Sequence, residues 1–138
     1  MLEMDAAALT AFLARDFPQV CDDFAVERAD MEGLRIRLKV ADRHLRPGGT
    51  VSGPSMFGLA DVAVYLAILS RLGPIALAVT TNCAIDFMRK PAAATDLLCD
   101  VRLLKLGRVL AVGDCLIRSD GMDAPVARAS LTYSIPPR

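Results

Sequence analysis

The chain has 138 residues, enough for one compact domain that buries a core without help from disulfides or metals. Its 16 Lys and Arg balance 16 Asp and Glu, so it lacks the basic footprint of a nucleic-acid binder, and one histidine cannot build a multi-histidine metal site. Hydrophobic residues reach 54%, above the usual ~45–50%; the surplus calls for a membrane span, a subunit interface or an unusually buried element.

In chain order, Ala8, Leu9, Phe12 and Leu13 recur at helical spacing after Asp5, a plausible N-cap, so a helix is expected over about residues 5–16, ended by Pro18. The stretch to Val20 is acidic and amphipathic, without the positive start and continuous apolar run of a signal peptide. Residues around Cys21–Ala29 and Leu34–Val40 read as a hairpin turning at Met31-Glu32-Gly33; in its second arm Leu34, Ile36, Leu38 and Val40 alternate with Arg35, Arg37 and Lys39. A loop containing Pro47-Gly48-Gly49 follows, then a helix over about residues 54–71 that opens on Pro54 and ends at Leu72-Gly73-Pro74. Four strand-like segments close the chain: Leu77–Arg89, Leu97–Leu106, Val109–Ser119 and Pro125–Ile135. In the first, strict alternation puts Val79, Thr81, Cys83, Ile85 and Phe87 on one face and Thr80, Asn82, Ala84, Asp86 and Met88 on the other. Strands in runs with segregated helices predict a single α+β domain with an antiparallel sheet. Cys21, Cys83, Cys99 and Cys115 form no C-x-x-C pair, which fits buried, reduced thiols in a cytoplasmic protein.

The second helix is the anomaly. Between Pro54 and Ser70 it carries one charge, Asp61, while Met56, Phe57, Leu59, Val62, Val64, Leu66, Ile68 and Leu69 cover every side. The charge, with Arg71 and the Gly73-Pro74 break, argues against a membrane span. A helix apolar all round must be buried all round, by a sheet that wraps it or by a second subunit. Asp61 then needs hydrogen bonds, a proton or a wet cleft. Either it bonds a nearby donor and fixes the helix, or it is a carboxylate held for base or nucleophile work. Gly48-Gly49-Thr50-Val51-Ser52-Gly53-Pro54 places flexible backbone at the helix start, where free N–H groups and the helix dipole can hold an oxyanion. Gly53 and Asp61 lie about 12 Å apart along the axis, so a site using both is expected between two subunits.

Gly49-Thr50-Val51-Ser52-Gly53-Pro54, then Leu59-Ala60-Asp61, then Phe87-Met88-Arg89-Lys90-Pro91, resembles the hotdog-fold thioesterases of the phenylacetate-degradation (PaaI) type, with matching order and spacing over about residues 20–135. The resemblance implies an antiparallel sheet wrapped around a long central helix. It implies homodimers or dimers of dimers that hydrolyse acyl-CoA or aryl-CoA thioesters at the subunit interface. Position by position, it implies that Asp61 is the catalytic general base or nucleophile and that the Gly53 N–H polarises the thioester carbonyl. Thr80, or Thr81 by a slip of one, would orient the attacking water. No resident cofactor or metal is implied; coenzyme A belongs to the substrate.

The family pattern G-T-[LV]-H-G-G is altered here. Ser52 stands at the motif histidine, Pro54 at the last glycine, where it removes one N–H, and Arg46 at an earlier position often held by Asn. His44 is close enough to take part in substrate binding, with a solvated loop position as the plain alternative. Arg43, Arg46, Arg89, Lys90 and Arg108 are candidates for the coenzyme A phosphates. Ser52, Gly53 and Pro54 in place of H-G-G also raise a second reading, a hotdog protein that binds or senses acyl-CoA without hydrolysing it. A dehydratase, which would need His44 as acid or base, is a third.

Overall fold

A computed structural model describes residues 1–137. Its elements are α1 (Ala6–Asp16), β1 (Phe24–Asp30), β2 (Gly33–Leu38), α2 (Gly53–Leu72), β3 (Val79–Phe87), β4 (Leu97–Leu106), β5 (Leu110–Ser119) and β6 (Pro125–Ser134). The expected helices and strands are present within a few residues. The first arm of the hairpin starts at Phe24, because residues 18–23 turn. The loop before α2 contains a short 3-10 turn, Asp42–His44, and a bridge between Leu45 and Val51.

The strands form one sheet in the order β1-β2-β4-β5-β6-β3, with every pairing antiparallel. All six touch α2, so the sheet wraps the helix in the hotdog arrangement. By length and composition α2 would satisfy a membrane span, yet 67% of its most apolar window is buried inside the protein. The core runs the length of the helix. Leu59, Leu66, Ile68 and Leu69 are fully covered, packed with Leu34, Ile36, Leu97, Ile117 and Leu131 of the sheet and Leu9 and Phe12 of α1. Asp5 caps α1 by accepting from the Ala8 N–H at 2.9 Å. The backbone N–H groups of Glu3 and Met4 both donate to the Ser70 carbonyl, at 2.8 and 3.2 Å, which straps the chain's start to the last turns of α2.

Helix and sheet approach closely at Gly113 of β5. A Cβ there would stand 2.9 Å from Val64 Cγ1, and a β-branched side chain on a packed helix has little room to yield. Gly113→Ala should therefore lower stability by about 1–3 kcal/mol in urea unfolding. Val64→Ala in the same chain should recover part of that loss, because it removes the opposing methyls.

Candidate active site

Asp61 sits in the third turn of α2, partly exposed on a helix that is otherwise nearly covered. Two hydroxyls from the far edge of the sheet reach it. Thr80 of β3 donates to Asp61 Oδ1 at 2.5 Å. The Tyr133 hydroxyl of β6 lies 2.7 Å from the same Oδ1 and 2.9 Å from the Asp61 backbone carbonyl. Oδ2 has no protein partner among the described residues. The carboxylate is thus held by hydroxyls and also opens on a cleft of about 590 Å³. Asp61, Thr80 and Tyr133, with Asp16 and Gln19, give the cleft its polar lining, while Phe17, Tyr65 and Leu77 supply apolar wall.

A β-bulge aims Thr80. Thr80 pairs with Tyr133 and Asn82 with Thr132, so Thr81 is an extra residue between them. Strict alternation would put Thr80 on the face of Asn82 and Ala84. The bulge instead puts it on the inward face with Cys83 and Ile85, both partly buried against the core. Thr81 is exposed, and its hydroxyl donates to the Thr132 carbonyl at 3.2 Å. The choice between the two threonines, open in the sequence, resolves geometrically to Thr80 as the one beside Asp61.

Tyr133 is a site residue that the sequence pattern does not single out. The available signal is a tyrosine at an inward position of the last strand, since a buried phenol needs a hydrogen-bond partner. Its ring stacks on Tyr65, with centroids 6.2 Å apart and planes 28° apart. The Tyr65 hydroxyl donates to the Ala76 carbonyl at 2.9 Å, which fixes the loop before β3. Burial, then the nearby Asp61 charge, pushes the Tyr133 phenol well above its ordinary pKa, so it stays protonated at neutral pH. Burial, followed by Asp61, also raises the Cys83 thiol.

At the start of α2, Ser52 is the N-cap. Its Oγ accepts from the Ser55 N–H at 3.3 Å, and its own N–H donates to the His44 carbonyl at 2.8 Å. Pro54 has no N–H, and the Met56 N–H is taken by the Ser52 carbonyl at 3.1 Å. Gly53 is therefore the one first-turn position whose N–H lacks a protein partner among the described residues. The Phe87 ring lies over it, with Cζ 3.3 Å from where a Cβ would be.

The remaining candidates lie apart from Asp61. His44 is buried, against the alternative of a solvated loop position. Its Nδ1 accepts from the Ala41 N–H at 2.9 Å, and its Nε2 is 3.5 Å from Asp23 Oδ2. It does not line the Asp61 cleft and acts here as a strut for the loop that leads to Ser52. Arg43 pairs with Asp23. Arg46, Arg89, Lys90 and Arg108 are exposed, and Arg89 donates to the Pro125 carbonyl at 2.7 Å.

The family model described as the thioesterase superfamily matches residues 48–126, more than half of the chain. The chain belongs to the thioesterase superfamily. A crystal structure from a Silicibacter species, provisionally described as a thioesterase, is 58% identical with a TM-score of 0.93, over 99% of this chain and 95% of that one. A mutant of the phenylacetic acid degradation protein PaaI from Thermus thermophilus is 25% identical with a TM-score of 0.74, over 86% of this chain and 99% of that one. Thioesterase superfamily member 2 of zebra fish, at 22% identity and a TM-score of 0.80 over 95% of each chain, shares the fold. A search of curated protein sequences found no match. Membership in the thioesterase superfamily supports thioester hydrolysis as the general activity. The matched segment contains Ser52, Gly53, Asp61 and Thr80, and ends before Tyr133.

Ser52→Ala removes the cap of a thioesterase-superfamily central helix while leaving the Gly53 N–H in place. It should lower stability by about 1 kcal/mol, read as a shift of the urea midpoint.

Proposed function

We propose that this protein hydrolyses acyl-CoA or aryl-CoA thioesters, with Asp61 as the reactive carboxylate. The observation that carries the reading is Asp61 itself: one oxygen held by two hydroxyls, the other without a protein partner, among the described residues, on the wall of a largely apolar cleft. As general base, Asp61 Oδ2 takes a proton from water and the hydroxide attacks the thioester carbonyl carbon. The tetrahedral oxyanion is held by a backbone N–H. Collapse breaks the C–S bond, and the departing thiolate takes the proton back from Asp61. The products are a free acid and coenzyme A. Direct attack by Oδ2 would break the C–S bond, expel the thiolate and give a mixed anhydride that water then opens to the free acid and the Asp61 carboxylate, with a proton from that water going to the thiolate. Lys90 and Arg108, exposed and without an ion-pair partner among the described residues, are the cations proposed to meet the coenzyme A phosphates.

The oxyanion donor we propose is Gly53 of a second copy. Helix α2 and strand β3 run in opposite directions side by side, with Thr80 at Asp61 and Phe87 at Gly53. The outer edge of β3 pairs with no other described strand, and Leu77, Val79, Phe87 and Met88 along it are exposed by 79%, 55%, 51% and 44%. An unpaired apolar edge is a template for another strand. Antiparallel self-pairing about Cys83, the midpoint of β3, would set the Thr80 end of one copy against the Phe87 end of the other. That two-fold arrangement brings Asp61 of each copy toward Gly53 of its partner. The four free cysteines fit a reducing, cytoplasmic setting for the dimer.

The loss of one N–H at Pro54 favours a second reading, an acyl-CoA-binding protein without turnover. A panel of acyl-CoA and aryl-CoA thioesters with a free-thiol readout separates the two: thiol release supports hydrolysis, and tight binding without release supports the alternative. Asp61→Asn should lower kcat at least about 100-fold while the thermal midpoint holds. The shared site is tested by mixing. Gly53→Pro removes the N–H that has no helical partner but also sets ring atoms against Phe87, so it is made together with Phe87→Ala, and the thermal midpoint and dimer content of the double variant are checked first. A mixed dimer of Asp61→Asn chains and these double-variant chains keeps one intact site if the site is shared, and none if each chain builds its own. Recovered activity on mixing two inactive proteins is the expected outcome, and its absence in a dimer shown to exchange subunits would refute sharing.

A further inference from the structure

We propose that Tyr133 is a positioning residue for the reaction: its hydroxyl, with that of Thr80, engages Oδ1 of Asp61 and so assigns the chemistry to Oδ2. This rests on Asp61 being the reactive group.

Donor and acceptor counting supports the assignment. Thr80 and Tyr133 each bring one O–H proton, and both oxygens lie within 2.7 Å of Oδ1. An ionised carboxylate oxygen accepts two such bonds readily, and bonds to a charged acceptor are the strong ones. With Oδ1 occupied, the remaining lone pairs of the carboxylate that face the cleft belong to Oδ2. The two donors come from neighbouring strands at directly paired positions, Thr80 opposite Tyr133. The pair is set by the sheet register itself, and the bulge at Thr81 is what brings Thr80 inward to join Tyr133. Their separation is therefore held by backbone pairing rather than by side-chain packing alone.

Tyr133 has a second acceptor that Thr80 lacks. The Asp61 backbone carbonyl is 2.9 Å from its hydroxyl, and one proton shared between two acceptors bonds the stronger acceptor more tightly. While Asp61 is ionised, the charged Oδ1 is the better acceptor. Once Oδ2 holds a proton or an acyl group the charge is gone, and the hydroxyl turns to the backbone carbonyl with little movement. Tyr133 thus follows the charge on Asp61 without giving up its proton. Its ring is anchored on Tyr65 throughout, so the donor swings about a fixed axis. The phenol is buried and stays protonated, which suits a donor and rules it out as a base.

The test uses the full chain. Tyr133→Phe keeps the ring and its stack and removes only the hydroxyl. On a thioester that the unaltered protein hydrolyses, kcat should fall roughly tenfold with KM within about twofold, and the thermal midpoint should stay near that of the unaltered protein. Thr80→Ser should retain most of the rate that Thr80→Ala loses. A second measurement needs no turnover. The chain has two tyrosines, so tyrosine labelled at Cζ gives two NMR signals, assigned with Tyr65→Phe. Asp61→Asn should move the Tyr133 signal and leave that of Tyr65 in place. A kcat unchanged in Tyr133→Phe, or a loss that only tracks unfolding, overturns the proposal. So does a Tyr133 signal indifferent to Asp61→Asn. If the unaltered protein releases no thiol from any thioester, the hydrolytic reading fails on that result alone, and the NMR measurement still decides whether Tyr133 holds Asp61.

Discussion

The structure depends on burying one helix that has no polar side. A helix with only Asp61 as a charge between its first proline and Ser70 cannot lie on a sheet as an amphipathic helix does, with one face left to water. The sheet must bend round it, and all six strands make contact with it. The ends of the helix are then set by the few residues that can stop it. Ser52 supplies the first cap, and Gly73, with φ of 95°, ends the last turn. The remaining uncovered side falls where Pro54, Phe57 and Asp61 reach the surface, along the edge guarded by β3.

That edge is where packing and chemistry meet. A carboxylate in the middle of a wrapped helix would be costly if sealed in hydrocarbon. Here the wrapping stops short, and two hydroxyls replace part of the water that Asp61 gives up. The same incompleteness leaves apolar residues of β3 exposed, so the feature that opens the cleft also supplies the surface for pairing with a second copy. Helix burial, the carboxylate proposed as reactive and the proposed dimer are in this sense consequences of one composition.

The sequence made the helix, its anomalous charge and the strand order legible, because periodicity and capping are local properties. Asp61 could be named as the lone charge on an apolar helix and Gly53 as flexible backbone at its start, with their roles drawn from the family resemblance. Thr80 could not be separated from Thr81, since the answer is a one-residue bulge in pairing with β6, more than 50 residues away in sequence. A strictly alternating strand assigns Thr80 to the wrong face. Tyr133 escapes because nothing local distinguishes it from an ordinary core aromatic; its role arises from register with β3 and proximity to α2. His44 reads as a substrate-binding candidate or a solvated loop residue beside Arg43 and Arg46, yet the 3-10 turn folds it under, where its ring accepts a backbone N–H. Each of these depends on contacts between distant segments, which periodicity does not encode.

The contact between Gly53 and Phe87 has an evolutionary consequence. The absent side chain at one position and the ring at the other fill a shared volume, with 3.3 Å between the ring and the place a Cβ would occupy. A side chain at residue 53 requires the half-exposed Phe87 ring to give way or to shrink. The two positions should therefore drift as a pair across related sequences, linking a backbone amide at a helix start to the far end of an edge strand.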